Sequence, residues 1–334
     1  MDAVSLMRDI DILAASSGVT LNPEQRAAIR PSLEILKQEK GFSSVLLWGK
    51  LLGDAGEYVI AEGVGFPPEG KVERNKVSGS EPVVTEYFDS VKDIPRQFFR
   101  LGADGVSWVP LPAITPEIKQ KISDFETDLR RAGNIFVPLS GNASNKFAYK
   151  VIIPPPPKKV KEPVVVPEGE EAPPPEPEEE EKGPEIIDKE LVEDERLAYL
   201  VAQINFATAV VPRGAYVLNS SRQVIKNPYF SGIERADALH LNNYLHLRRP
   251  AARQYQAEPA RAALDKHKDF LDSLDLDVPN GCWSAVIDDS SNVVTLRSLL
   301  YPGFYFYHVL GTASYGRLYV GNAERNYDLA FMLS

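Results

Sequence analysis

WSAVIDDSSNVVTLRS, residues 283–298, decides how this chain folds. Trp283 to Ile287 and Val293 to Ser298 are β-branched and aromatic runs, and Asp288-Asp289-Ser290-Ser291-Asn292 between them is rich in turn formers, so the stretch reads as a hairpin. Phe304 to His308 and Arg317 to Gly321 continue the pattern as two further strands. Earlier in the chain, Ser43 to Leu52 (SSVLLWGKLL) and Glu57 to Gly63 (EYVIAEG) read as another hairpin, turning at Gly53-Asp54-Ala55-Gly56.

Helical signals surround these strands. Asn22-Pro23-Glu24-Gln25 combines an N-cap, a proline at the first helical position and a glutamine at the third; Pro31 is expected to split or kink the helix that they start. Thr115-Pro116 opens a helix in which Ile114, Ile118, Ile122, Phe125 and Leu129 recur at steps of three and four. Asp188 to Thr208 reads as one long helix with Leu191, Leu197, Leu200, Val201 and Ile204 as its buried stripe. Gly232 to His246 and Pro259 to Leu274 read as two more helical stretches. The expected fold class is therefore α+β, an antiparallel β-sheet flanked by helices, with no period of 20 to 50 residues that would indicate a repeat array.

One segment stands apart. Pro154 to Glu185 (PPPPKKVKEPVVVPEGEEAPPPEPEEEEKGPE) holds 11 Pro, 10 Glu and 4 Lys in 32 residues. Proline removes backbone donors and like charges repel, so the expectation is a disordered, solvated insert. It divides the chain into an N-terminal half, 1–153, and a C-terminal half, 186–334, which we expect to form one body. Loop closure rises only slowly with length. The insert carries a charge of −6 of the chain's −10, leaving the rest at −4. A near-neutral body suits a protein that packs against others, and the acidic balance argues against a general nucleic-acid binder, which needs a basic surface. A single cysteine, Cys282, excludes a disulfide framework. The N-terminus, with Asp2, Asp9 and Asp11 among its apolar residues, lacks the form of a signal peptide. No apolar run reaches membrane-spanning length, and the N-x-S matches at Asn142 and Asn219 are read as inert. The expected setting is cytosolic or cytoskeletal, with no membrane partner.

Chemical signatures are sparse. There is no Walker A loop, no G-x-G-x-x-G and no G-x-S-x-G. His240 and His246 are six apart and share no helix face as a zinc pair would; they read as a helix-end histidine and a surface one. His267 and His308 add no third ligand. Cys282, beside Trp283, reads as a small buried thiol. Asp288 and Asp289, adjacent on a strand end, cannot converge on one substrate atom and read as turn residues. The run Tyr301 to Tyr307 could stack sugars or bases, but with only Arg297 and Arg317 nearby it reads as a strand covered on both faces, one of them open to cover by another subunit. Leu247-Arg248-Arg249-Pro250 with Arg253 reads as a solvated helix exit, with docking to an acidic partner as the alternative. No catalytic, cofactor-binding or metal-binding residue, no cofactor and no small-molecule substrate are assigned.

Several colinear segments resemble the radial spoke head proteins. Trp48 to Gly63 (WGKLLGDAGEYVIAEG) is similar to their tryptophan-bearing hairpin, Trp108 to Ala113 (WVPLPA) to their Trp…Leu-Pro-Pro-Ala segment, and Ala209 to Ala215 (AVVPRGA) to their Pro-Arg-Gly-Ala step. Phe270 to Leu274, Val278 to Ser284, Leu296 to Gly303, and Tyr319 to Gly321 with Asn326 to Leu333 continue the match. Head proteins four and six share the hairpin but are longer and do not stop at Asp-Leu-x-Phe-Met-Leu. The match spans most of the chain outside the insert, and nothing is carried over to residues 154–185.

The resemblance implies a non-catalytic structural subunit of the radial spoke head in the axoneme of motile cilia and flagella. Its implied partners are head proteins one, four, six and ten and stalk protein three, facing the central-pair microtubules. On this reading the apolar end, Leu329 to Leu333, is structural, laid along the sheet or a neighbouring subunit. Two other classes stand beside it: an enzyme of unrecognised type, and a signalling adaptor that uses its proline-rich segment.

Overall fold

A computed structural model of the chain describes residues 1, 5–18, 20–65, 96–153, 185–218, 224–248 and 270–332. Two helices lead, α1 (Leu6–Ser17) and α2 (Pro23–Lys40). The start of α2 follows its sequence: the Asn22 side chain accepts from Glu24 N–H, the Gln25 side chain reaches back to the Asn22 amide, and Pro23 sits at the first position. Pro31 does not split the helix, which runs on to Lys40. Ile29, Leu33 and Leu36 are buried on both sides of the proline, and that burial, about 1.5–3 kcal/mol per side chain, outweighs a proline penalty of about 3 kcal/mol.

The centre is an eight-stranded sheet built from both halves of the chain. The N-terminal half supplies β1 (Ser44–Leu52), β2 (Glu57–Val64), β3 (Arg96–Leu101) and β4 (Trp108–Pro110). The C-terminal half supplies β11 (Trp283–Asp288), β12 (Val293–Ser298), β13 (Phe304–Val309) and β14 (Tyr315–Gly321). The strand order is β11-β12-β13-β14-β1-β2-β3-β4. Every neighbouring pair is antiparallel except β1 with β14, which run parallel with Gly49 opposite Tyr319. The two antiparallel meanders thus meet along one parallel seam.

Both faces of the sheet are covered. On one, Leu6, Ile10 and Leu13 of α1 and Ile29, Leu33 and Leu36 of α2 pack on Val45, Leu47, Val59, Phe99, Tyr307 and Leu318. On the other, α4 (Glu193–Thr208) presses Leu197, Val201 and Ile204 onto Trp48, Tyr58, Ile60, Leu296, Phe304, Phe306 and Tyr319. The aromatic strand β13 accordingly sends Phe304 and Phe306 to one layer and Tyr307 to the other, all buried. Its two covered faces are covered by this chain's own helices.

Two helix expectations are corrected. Asp188 to Val192 is not helical: it belongs to strand β6 (Glu185–Val192), paired with β5 (Lys146–Ile153), and the helix begins only at Glu193. Leu191 fits a helical stripe by spacing, but it is buried from the strand against Ile122, Phe125 and Tyr149, the first two on α3 (Pro116–Arg131). Gly232 to His246 is also not an α-helix. Short 3-10 turns at Arg235–Asp237 and Leu241–Asn243 lead into strand β10 (Tyr244–His246), which pairs with β7 (Val210–Pro212); pairing to a distant strand overrides a short local pattern. Within the stretch expected to be helical at 259–274, residues 259–269 lie outside the described residues. Phe270 to Ser273 is irregular and Leu274 opens a 3-10 turn, Leu274–Leu276.

The remaining strands, β8 (Tyr216–Leu218) and β9 (Val224–Lys226), form a small separate ribbon. Of the insert, residues 154–184 lie outside the described residues, and Glu185 is the first residue of β6 rather than the last of a linker, opposite Ile153. A four-residue helix, α5 (Leu329–Met332), ends the described chain. Among the described residues no helix is long and apolar enough to cross a membrane.

Candidate functional site

The residues that the sequence singles out for chemistry are dispersed. His240 is exposed at the edge of a 3-10 turn. His246, expected at a helix end or on the surface, is fully buried on β10. Its Nε2 lies 2.8 Å from a carboxylate oxygen of Asp277, and Asp277 also accepts from Trp283 Nε1 at 2.7 Å. His308 on β13 is buried as well: Ile233 N–H donates to its Nε2 at 3.0 Å, and its Nδ1 lies 3.0 Å from the carbonyl oxygen of Ser314. An Nε2 that accepts leaves Nδ1 to carry the proton. Burial lowers the pKa of this imidazole below the usual histidine value, against the opposing pull of Ser314. His267 lies outside the described residues.

Cys282 is buried one residue before β11. Burial, reinforced by the negative charge of Asp277, pushes its thiol up to about 11, far from thiolate chemistry at neutral pH. Asp288 caps its own turn, accepting from the Ser290 amide and from the hydroxyls of Ser290 and Ser291, while Asp289 pairs outward with Arg235. Arg248 is no solvated helix exit. It comes just after β10, its guanidinium lies 4.2 Å over the Phe206 ring, and Asp272 sits 3.7 Å away. Arg249, Pro250 and Arg253 lie outside the described residues. Among the described residues no three His, Cys, Asp or Glu side chains come together as a metal site.

Two buried carboxylates that sequence reading passed over hold the body together. Glu62 on β2 is 1% exposed, with Arg317 of β14 at 2.6 Å and Arg96 of β3 at 3.2 Å. Burial alone would raise its pKa; the two guanidiniums outweigh that and hold it below the ordinary carboxylate range. Arg96 also donates to the Leu247 carbonyl at 2.9 Å, so the triad ties the seam between the two meanders to the segment after β10. Glu193, at the start of α4, accepts from the Tyr58 hydroxyl at 2.8 Å, the Gly141 amide at 3.0 Å and Asn145 Nδ2 at 3.3 Å, with Ser140 also bonded. One carboxylate therefore fastens hairpin β1–β2, the 140–145 loop and α4. The sequence signal for Glu62 was there to be read: it is the one charge within an apolar run, YVIAEGV, where a strand covered on both faces has no solvent side to offer it.

The surface carries a different kind of site. A cavity of about 520 Å³ lies between the C-terminal part of α4 and the starts of β11 and the β12–β13 turn. Tyr199, Phe206, Trp283, Leu300 and Tyr301 wall it, with Lys119 and Arg325 also lining it. Asn326 N–H bonds to the Leu300 carbonyl at 2.9 Å, which starts the chain end at this wall. Leu329 then enters the core, whereas Phe331 is 81% and Met332 70% exposed. Of the expected structural tail, Leu329 is in the core and Ala330, Phe331 and Met332 stand on the surface. Such contiguous apolar exposure is the mark of a contact surface rather than a reaction centre.

No family model matches the chain. Curated proteins do, along their whole length. The chain is 33% identical to "Radial spoke head protein 9 homolog" of Danio rerio, 32% to that of Xenopus tropicalis and 31% to that of Bos taurus, in each case over 100% of both chains. Similarity of that extent and consistency leaves one assignment: the chain belongs to the radial spoke head protein 9 family.

Proposed function

We propose that this chain is a non-catalytic structural subunit of the radial spoke head, located in the axoneme of cilia or flagella. It is needed to assemble the head and to pass central-pair signals to the dynein arms. The full-length similarity to radial spoke head protein 9 homologs carries the reading. The roles of the buried polar groups agree with it: Glu62, Glu193, His246, His308 and Asp277 each join separate elements of the fold. In this reading the two halves, 1–153 and 186–334, form one body around the shared sheet. Head proteins one, four, six and ten and stalk protein three are its neighbours, and the head faces the central-pair microtubules. The aromatic-walled groove and the exposed Phe331 and Met332 are where such neighbours would press.

The test is disruption of the gene followed by rescue with tagged protein. Spoke heads missing from disrupted axonemes, and tagged protein co-purifying with other spoke proteins after salt extraction, support the proposal. Intact heads in the disrupted strain, or a tagged protein confined to the soluble fraction, would overturn it.

A further inference from the structure

The two edges of the central sheet differ. At one end, β4 has three residues and finishes at Pro110, which has no N–H to offer. Short strands and proline are standard means of closing an edge to further pairing. At the other end, β11 is six residues long, WSAVID, with no proline, no lysine and a regular register against β12. The direction of its outward groups is set by one bond. Leu299 N–H donates to the Cys282 carbonyl at 2.8 Å, so the even-numbered residues of β11 point their backbone groups at β12. Trp283, Ala285 and Ile287 then direct theirs to the free edge, where no described group pairs with them. Beside them, Val286 is 53% exposed, while Trp283 is buried and the rest of the strand is half-buried.

We propose that β11 is an interface on which a second copy of this chain pairs antiparallel, β11 against β11. The register is dictated by the pattern of outward groups. Centring the two-fold axis on Ala285 sets Ala285 opposite Ala285, and Trp283 opposite Ile287 of the second copy. All three outward donors and acceptors are then used at once. The same register sets Asp288 opposite Cys282, so no like charges face each other, and Ser284 opposite Val286. A small residue lies on the axis. Because the β4 edge is closed, pairing through β11 ends at two copies and cannot propagate into a fibre, as an isologous contact requires.

The full-length chain is the material for the test. Sedimentation velocity on the wild type should show a concentration-dependent monomer–dimer equilibrium, with slowed amide exchange at Trp283, Ala285 and Ile287 in the dimer. Ala285→Pro removes an outward donor that β12 does not use, and Val286→Lys brings two cations into reach across the axis. Each should weaken dimerisation at least tenfold with an unchanged circular dichroism spectrum. Should the proline variant fail to fold, the lysine variant decides alone. Mixing V286K with V286E should restore a heterodimer, which only a contact that brings the two 286 positions together can do. A wild-type chain that stays monomeric at 100 μM overturns the proposal. So does a dimer indifferent to V286K, or amides at 285 and 287 that exchange slowly in the monomer.

Discussion

Glu62 is the residue on which the seam between the two meanders depends. With Arg317 and Arg96 both beside it and almost no solvent of its own, its removal leaves two guanidiniums, 13% and 14% exposed, without a counter-charge. Such losses cost about 3–5 kcal/mol. Glu62→Gln should therefore lower stability by that amount in urea unfolding, with the denaturant slope unchanged. Acid weakens the same site. The folded pKa of Glu62 lies below its unfolded value, so its contribution is present above the unfolded value and is lost as pH falls through the folded one. His308 acts earlier on the same descent. Its folded form is held neutral by burial and by the Ile233 amide, while the unfolded imidazole takes up a proton below about 6.5. Stability should decline from about pH 6.5 downward, and a His308→Gln variant, less stable at pH 7, should show a shallower decline between pH 6.5 and 5. Equal slopes in wild type and variant would remove His308 from the account.

At the scale of elements, the end of β1 and the end of the chain make separate claims. Gly49 lies where β1 shifts register against β2 and runs beside β14, opposite Tyr319. A Cβ at this position would collide with the Tyr319 backbone, oxygen included. Backbone cannot give way as a side-chain tip can, so Gly49→Ala should destabilise by about 3 kcal/mol or more, seen as a large fall in melting temperature or loss of soluble protein. That constraint gives a physical meaning to the Trp48-Gly49 pair: the ring enters the core beside Tyr319 at 5.5 Å while the glycine admits the neighbouring strand.

The terminal helix divides its residues between fold and surface. Leu329→Ala should cost about 2–5 kcal/mol. Phe331→Ala and Met332→Ala, at exposed positions, should change the isolated chain's stability by no more than about 0.5 kcal/mol yet reduce incorporation into spoke heads. Normal incorporation of a soluble double variant would confine the tail's role to Leu329.

For the whole molecule, the question is how two halves separated by 31 residues make one sheet. Ile153 and Glu185 are opposite each other at the end of the β5–β6 hairpin, so the insert leaves and re-enters at neighbouring points. Replacing residues 154–184 by a four-residue turn shortens the loop by about three doublings, and should raise stability by about 2 kcal/mol. A loss of stability would mean that the segment contributes contacts of its own. Conversely, 1–153 and 185–334 expressed separately should each lack cooperative melting, and their co-expression should restore it, because β1 and β14 supply each other's neighbour.

The strands at 44–52, 57–64, 283–288 and 293–298, the capped starts of α2 and α3 and the turn at Asp288 were legible in the sequence, because each rests on side-chain alternation or capping within a few residues. So was the covering of both faces of β13. What sequence alone left undecided is where one periodicity yields to another. Leu191 satisfies a helix stripe and a strand face equally well, and only the presence of β5 selects the strand. Pro31 breaks a helix by local rule, and only burial of Ile29 and Leu33 carries the helix through. The burial of His246 and the pairing of Glu62 with Arg317, 255 residues away, depend on contacts that exist only once distant strands have met. Local propensities are worth tenths of a kcal/mol per residue, whereas burying an apolar side chain or pairing a buried charge is worth several times more. The sequence therefore determined the two hairpins, the strands that follow the second and the capped helix starts, and the tertiary structure decided where strand replaces helix at β6 and β10, the parallel seam that joins the two halves and, among the described residues, the unpaired outer edge of β11.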